Sequence, residues 1–321
     1  MGTKQSLYKA HKIKDDEFFT LFEDVSNEVS HYKEQLKGKR IICPCDWDES
    51  YNEEIVFREE GFVGPSNLLD KGGTIKKIDI KASKKKIEKS LSLIKCNFVK
   101  FLVAHADVYG IKSISVSGYN PANGKGVKFQ DVDYSKYDLA ITNPPFSQFR
   151  DFIDTMFKNK MEFLVVGPIT AITYKEIFNH IKDNEMWLGY AKQLSGFRLL
   201  DDTLVLSKNP EGSVPRACKW YTNLDVAYRH DRMILTENYS REKYPKYDNY
   251  EGIEVSQTKK IPYNYTGVMD VPVTFLTKFN PDQFEIVKFR KGDDEKDLSI
   301  KGKYPFARIL IKNRELVKNK K

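Results

Sequence analysis

The chain has no run of 18 apolar residues, which argues against a membrane-crossing helix, and Met1-Gly2-Thr3-Lys4-Gln5 opens it without the apolar core of an export signal. A soluble, unexported, cytoplasmic protein with no membrane partner is expected. Cysteine is also scarce. Cys43, Cys45, Cys96 and Cys218 lack the paired spacing of a zinc site, no histidine-rich segment accompanies them, and four thiols among 321 residues make no disulfide framework. No metal is expected, and the thiols read as small buried side chains in a reducing compartment.

What is present is length and positive charge. At 321 residues and 37.3 kDa the chain can hold one large domain or two moderate ones, and a net charge of +8 favours a polyanionic partner. Ten of the lysines fall within residues 71–100, against Asp79 and Glu88. Such a cluster suits either phosphate contact or a solvated helix face, and clustering alone does not choose.

Hydrophobic periodicity sets out the elements. Phe18, Leu21, Phe22, Val25, Val29, Tyr32 and Leu36 recur at helical steps and predict one amphipathic helix ending at Gly38. Residues 40–46 predict a buried strand that carries Asp46 into the following loop, and residues 91–105 a helix. Strands are expected at 112–117, 127–132 and 138–142, then a helix through Phe149–Phe157, a strand at 163–166 and a helix at 174–181. This alternation predicts an α/β fold with a doubly wound sheet over residues 1–190. From about Gln193 the pattern breaks into short proline-punctuated runs, including strand-like stretches at 271–276 and 284–289. Residues 191–321 then form an irregular, β-rich region suited to substrate recognition, or else a poorly periodic extension of the same fold.

One segment carries chemistry. Asn143-Pro144-Pro145-Phe146 follows the apolar run 137–142 directly, at the carboxyl end of a strand, where open α/β sheets place their ligands. An amine on an aromatic ring is a poor nucleophile because its lone pair is delocalised. Acceptors that hold both its hydrogens favour a more tetrahedral nitrogen and localise that pair. The Asn143 side-chain oxygen can accept one hydrogen bond and the Pro144 carbonyl the other, Pro144 and Pro145 stiffen the loop, and Phe146 offers a flat face to a base. A base within a duplex must be flipped out to reach such a pocket. The plainer reading is a turn after a strand, with Phe146 in the core.

Read together, several segments resemble the EcoRI-type adenine-specific DNA methyltransferases. They are Asp16-Glu17-Phe18-Phe19-Thr20, Cys43 to Asp46, Thr142 to Phe146, Ile172-Thr173-Tyr174-Lys175-Glu176, Trp187-Leu188-Gly189, Thr222-Asn223-Leu224-Asp225, Tyr244 to Tyr250, and Gly267-Val268-Met269 with Val271 to Leu276. Their order is similar to the gamma arrangement of amino-methyltransferases. The resemblance implies a Rossmann-like catalytic domain over 1–190 using S-adenosylmethionine, with a lysine-rich insertion at about 51–90, and a target-recognition region over 191–321. It also implies that Phe19 and Thr20 lie against the methionine portion of the cofactor, that Asp46 faces its ammonium group, and that Asp131 or Asp133 meets its adenine amine. The Gly-x-Gly loop of wider methyltransferases is missing, with Trp47-Asp48-Glu49-Ser50 in its place, and no acidic residue follows 113–117 for the ribose.

The expected activity is direct methyl transfer to adenine N6 in duplex DNA by a monomer, in a restriction-modification or phage setting. A companion restriction endonuclease would act on the same site without a stable complex. The alternatives are a catalytically silent DNA-binding protein on this scaffold, or a methyltransferase acting on RNA or protein glutamine.

Overall fold

The computed structural model describes residues 19–46, 57–60, 75–120, 124–198, 204–206, 218–290, 298–303 and 307–315. The chain forms two compact units: residues 1–169 with 189–224, and residues 170–188 with 225–321. Residues 191–224, expected on the recognition side of the chain, pack by contact with the first unit.

In chain order the first unit contains β1 (Phe19–Thr20), α1 (Phe22–Val29), β2 (Arg40–Cys43), β3 (Phe57–Glu60), β4 (Ile75–Ile78), α2 (Lys84–Leu93) and α3 (Asn97–His105). Next come β5 (Ser113–Val116), β6 (Leu139–Thr142), α4 (Phe149–Lys158), β7 (Glu162–Pro168), β8 (Gly196–Arg198), β9 (Leu204–Leu206) and β10 (Cys218–Thr222). Its main sheet runs β10-β7-β6-β2-β5-β4-β3. The four central strands β7, β6, β2 and β5 are parallel, while β10, β4 and β3 join antiparallel, so the molecule is α/β with a mixed central sheet. β5 and β6 are apolar or small and buried at every position, without the alternation of a half-exposed strand.

The centre of this sheet positions the site. From β2 the chain reaches β5 on one side by way of β3 and β4 and then β6 on the other, so the connections diverge between β2 and β6, at whose carboxyl ends open α/β sheets bind their ligands. Their amino ends are stitched by Arg40, whose Nη2 and Nε donate to the Asp138 carboxylate at 2.7 and 3.0 Å. A second, small antiparallel sheet, β1-β8-β9, sets Thr20 opposite Phe197.

Three sequence expectations change. The helix expected from Phe18 starts only at Phe22, because Phe19 and Thr20 pair with β8; Phe18 lies outside the described residues. It then tightens to a 3-10 turn at Ser30–Tyr32 before Gly38, at φ +75°, ends it. The helix expected over 91–105 is two helices, α2 and α3, with an extended break at Ile94 and Cys96. The strand expected over 127–132 is a single 3-10 turn, Phe129–Asp131.

The second unit has α5 (Lys175–Lys182) and a mixed sheet of β11 (Gly252–Glu254), β12 (Val268–Pro272), β13 (Phe284–Arg290) and β14 (Arg308–Asn313), in the order β11-β12-β14-β13. Phe178 of α5 packs on Phe289 of β13, with ring centroids 5.0 Å apart. The strand expected over 271–276 ends at Pro272, and Val273–Lys278 is 3-10. Arg229 is buried. Its guanidinium lies 3.4 Å from the Trp187 ring centroid and donates to Asn184, so it holds this unit together.

Candidate active site

Asp46 and Thr142 leave the carboxyl ends of β2 and β6, which are adjacent and in register from Ile41–Leu139 onward. The Thr142 hydroxyl donates to one Asp46 oxygen at 2.5 Å, and the Cys96 thiol donates to the other at 3.2 Å. Asn97, the next residue, donates from its carboxamide to the Thr20 carbonyl at 2.8 Å. Thr20 pairs with Phe197, and the Phe197 ring stands edge-on to Phe146 at 6.3 Å between centroids. From Phe146 the chain runs back through Pro145, Pro144 and Asn143 to Thr142. The contacts thus close a circuit beyond the carboxyl ends of β2 and β6: Thr20, Phe197, Phe146, Asn143, Thr142, Asp46, Cys96, Asn97 and back to Thr20.

Within the tetrapeptide, Asn143 is half-buried with its side-chain oxygen fully covered, and Pro144 is buried. Pro145, at φ −54°, precedes a one-turn helix, Phe146–Gln148, and its carbonyl accepts from the Gln148 amide at 2.9 Å. The two fixed proline φ angles therefore lead straight into a closed turn, which restrains both Asn143 and Phe146.

Of the residues expected at the cofactor, Phe19 is half-buried on β1. Asp131 is exposed at the end of its 3-10 turn, beside Gln130, whose side chain reaches Gln148 at 3.4 Å. Asp133 is committed locally. It accepts from the Ser135 hydroxyl at 2.6 Å and the Ser135 amide at 3.3 Å, which holds its carboxyl below the usual range. Asp131 ends one 3-10 turn and Asp133 precedes the next. Asp16, Glu17 and Trp47–Ser50 lie outside the described residues.

Phe197, Cys96 and Asn97 were not singled out from sequence. Each sits in a stretch without a motif, and each enters the site through partners distant in the chain. Thr142 was legible only as the residue before Asn143.

The family described as adenine-specific methyltransferase EcoRI matches residues 6–61 and 132–315, a span that takes in Phe19, Thr20, Asp46 and the whole tetrapeptide. This chain is an EcoRI-type adenine-specific methyltransferase. It is 39% identical to the type II methyltransferase M.EcoRI of Escherichia coli, with 99% of each chain covered. It is 28% identical to M.MpnI of Mycoplasma pneumoniae and to M.MgeORF184P of Mycoplasma genitalium, each match covering 96% of this chain and 98% of the relative. No solved structure matches it.

EcoRI-type enzymes use S-adenosylmethionine, and the side chains of the circuit fit its amino-acid end. Thr20 is 2% exposed, and its hydroxyl has no hydrogen-bond partner among the described residues. A buried hydroxyl left so costs about 1–3 kcal/mol, and a carboxylate acceptor would satisfy it. Asp46 supplies the opposite charge, suited to an ammonium group.

Proposed function

We propose that this methyltransferase acts site-specifically on duplex DNA, placing a methyl group on N6 of an adenine flipped out of the helix. The observation that carries the reading is the closed circuit, which joins the tetrapeptide to Thr20 and Asp46 through hydrogen bonds, strand pairing and a ring contact at a topological switch point. The parallel strands β7, β6, β2 and β5 support a Rossmann-like, doubly wound catalytic domain over residues 1–190, with residues 191–321 given to target recognition. Part of the latter, β8, closes the catalytic wall.

The residues divide the work as follows. Asn143 Oδ1 and the Pro144 carbonyl accept the two N6 hydrogens and localise the nitrogen lone pair, with Pro145 holding the turn. Phe146 and Phe197 present ring surfaces to the flipped base. Thr20 and Phe19 take the methionine carboxylate side of the cofactor, Asp46 its ammonium, and Asp131 its adenine amine, Asp133 being occupied by Ser135. When bound, S-adenosylmethionine supplies a methyl group on a sulfonium, an electrophile that needs no covalent enzyme nucleophile. The setting is a monomer in the cytoplasm, protecting DNA from a companion restriction endonuclease that recognises the same site.

The test is transfer of labelled methyl to mixed-sequence duplexes, read by sequencing of the modified base. Asn143→Ala should cut turnover about 100-fold or more while leaving duplex affinity within about threefold. Transfer to RNA or protein but not to duplex DNA, or unchanged turnover in Asn143→Ala, overturns the reading.

A further inference from the structure

Helix α3 begins at the end of the extended break that sequence periodicity runs through, and its first two positions reach two different parts of the site. Cys96 sits at the cap position but makes no side-chain cap hydrogen bond to its own helix. Its thiol, 3% exposed, points to Asp46 Oδ1 instead. Asn97 likewise spends its carboxamide away from the helix, on the carbonyl of Thr20. Two consecutive residues thus tie the loop after β2 to the short strand β1, which also pairs with β8. The buried Thr20 hydroxyl has no hydrogen-bond partner among the described residues, so its orientation matters to whatever fills that position.

We propose that Cys96 and Asn97 form a two-point clamp that sets Thr20 and Asp46 at the separation needed to receive the amino-acid end of the cofactor. This rests on the assignment of Thr20 and Asp46 to that end. Both are positioning residues. Asn97 acts through the Thr20 backbone, leaving the hydroxyl available, and Cys96 acts through one carboxylate oxygen while Thr142 holds the other. A thiol suits the second task because its single hydrogen goes to one carboxylate oxygen, which orients the group and leaves its negative charge for an ammonium partner. Neither residue belongs to the segments matched by the family description, which stop at residue 61 and resume at 132.

The experiment measures binding of S-adenosylhomocysteine by calorimetry to the full chain and to Asn97→Ala, Asn97→Asp, Cys96→Ser and Cys96→Ala, alongside duplex affinity and thermal midpoints. Asn97→Ala and Cys96→Ala should each weaken S-adenosylhomocysteine about tenfold, the worth of one hydrogen bond, with duplex affinity within about twofold. Asn97→Asp should be weaker still, since a carboxylate meets the Thr20 carbonyl with no donor. Cys96→Ser keeps a donor and should bind within about threefold of the parent. In turnover, KM for the cofactor should rise and kcat change little. If Asn97→Ala does not fold, Cys96→Ala against Cys96→Ser decides alone. A parent that binds no S-adenosylhomocysteine overturns the cofactor assignment. A parent that binds it, with both alanine variants equal to it, overturns the clamp and leaves that assignment standing.

Discussion

Phe197 is a residue whose role depends on two neighbours at once. Its backbone holds Thr20 in register, and its ring meets Phe146. Phe197→Leu keeps the backbone pairing and the apolar volume but loses the ring. It should therefore lower kcat/KM for duplex about three- to tenfold while S-adenosylhomocysteine affinity stays unchanged, a split that steady-state kinetics and calorimetry resolve. Asp138 acts at the other end of the same strands. Its hydrogen bonds from the Arg40 guanidinium hold its carboxyl down at about 2, below the ordinary 3.8. A depressed carboxylate stabilises the fold fully above its unfolded value, and that contribution fades as pH falls toward 2. The pair is about one-third exposed, so Asp138→Asn should cost about 1 kcal/mol near neutral pH, and the difference from the parent in urea unfolding should vanish by about pH 2.

At the scale of elements, α1 is unusual in burying acids on its inner face. Asp24 accepts from the Ser195 amide at 2.8 Å, and Glu28, fully buried, accepts from Tyr32 Oη and the Tyr190 amide at 2.8 Å and from the Ala191 amide at 2.6 Å. The helix thereby holds the segment that leads into β8. Gly189 lets that segment pass, because a Cβ there would overlap the Glu28 carboxylate and come within 2.7 Å of Trp220 Cβ. Burial raises the Glu28 carboxyl above its ordinary 4.5. Its folded form keeps the proton longer than the unfolded chain does, so its contribution declines as pH rises through the window above 4.5. Glu28→Ala strands three donors and should cost about 3 kcal/mol or more in urea unfolding, with faster amide exchange at Tyr190 and Ala191 as the local sign. The break between α2 and α3 shows what periodicity misses. Leu91, Ile94, Phe98 and Phe101 keep a helical step across it, and no proline or glycine marks it. Beyond the bend at Ile94 and Cys96, the side chains of Cys96 and Asn97 turn to Asp46 and Thr20.

For the whole molecule, the +8 charge predicts that duplex affinity falls steeply with salt. Topology qualifies which lysines carry that dependence. β4 runs antiparallel to β5 and delivers the chain to the amino edge of the central strands, where α2 begins with Lys84, Lys85 and Lys86 exposed. The site lies at the carboxyl edge. Replacing those three lysines with glutamine should leave the slope of log affinity against log salt within about one unit of the parent, where full engagement of all three would change it by roughly 2.7.

Strands β2 and β6, helix α4 and the position of the tetrapeptide were legible in the residues themselves, because buried parallel strands and an amphipathic helix write their burial into local pattern, and a diproline turn is a local restraint. The chemistry proposed for Asn143, Pro144 and Phe146 rests on the same short stretch. Strand β1, the 3-10 turn at Asp131, the burial of Arg229 and the contacts of Phe197, Cys96 and Asn97 were decided only by the tertiary structure. A two-residue strand has too few positions to show a period, and a side chain that serves a partner some 50 to 180 residues away leaves no mark on its own neighbours.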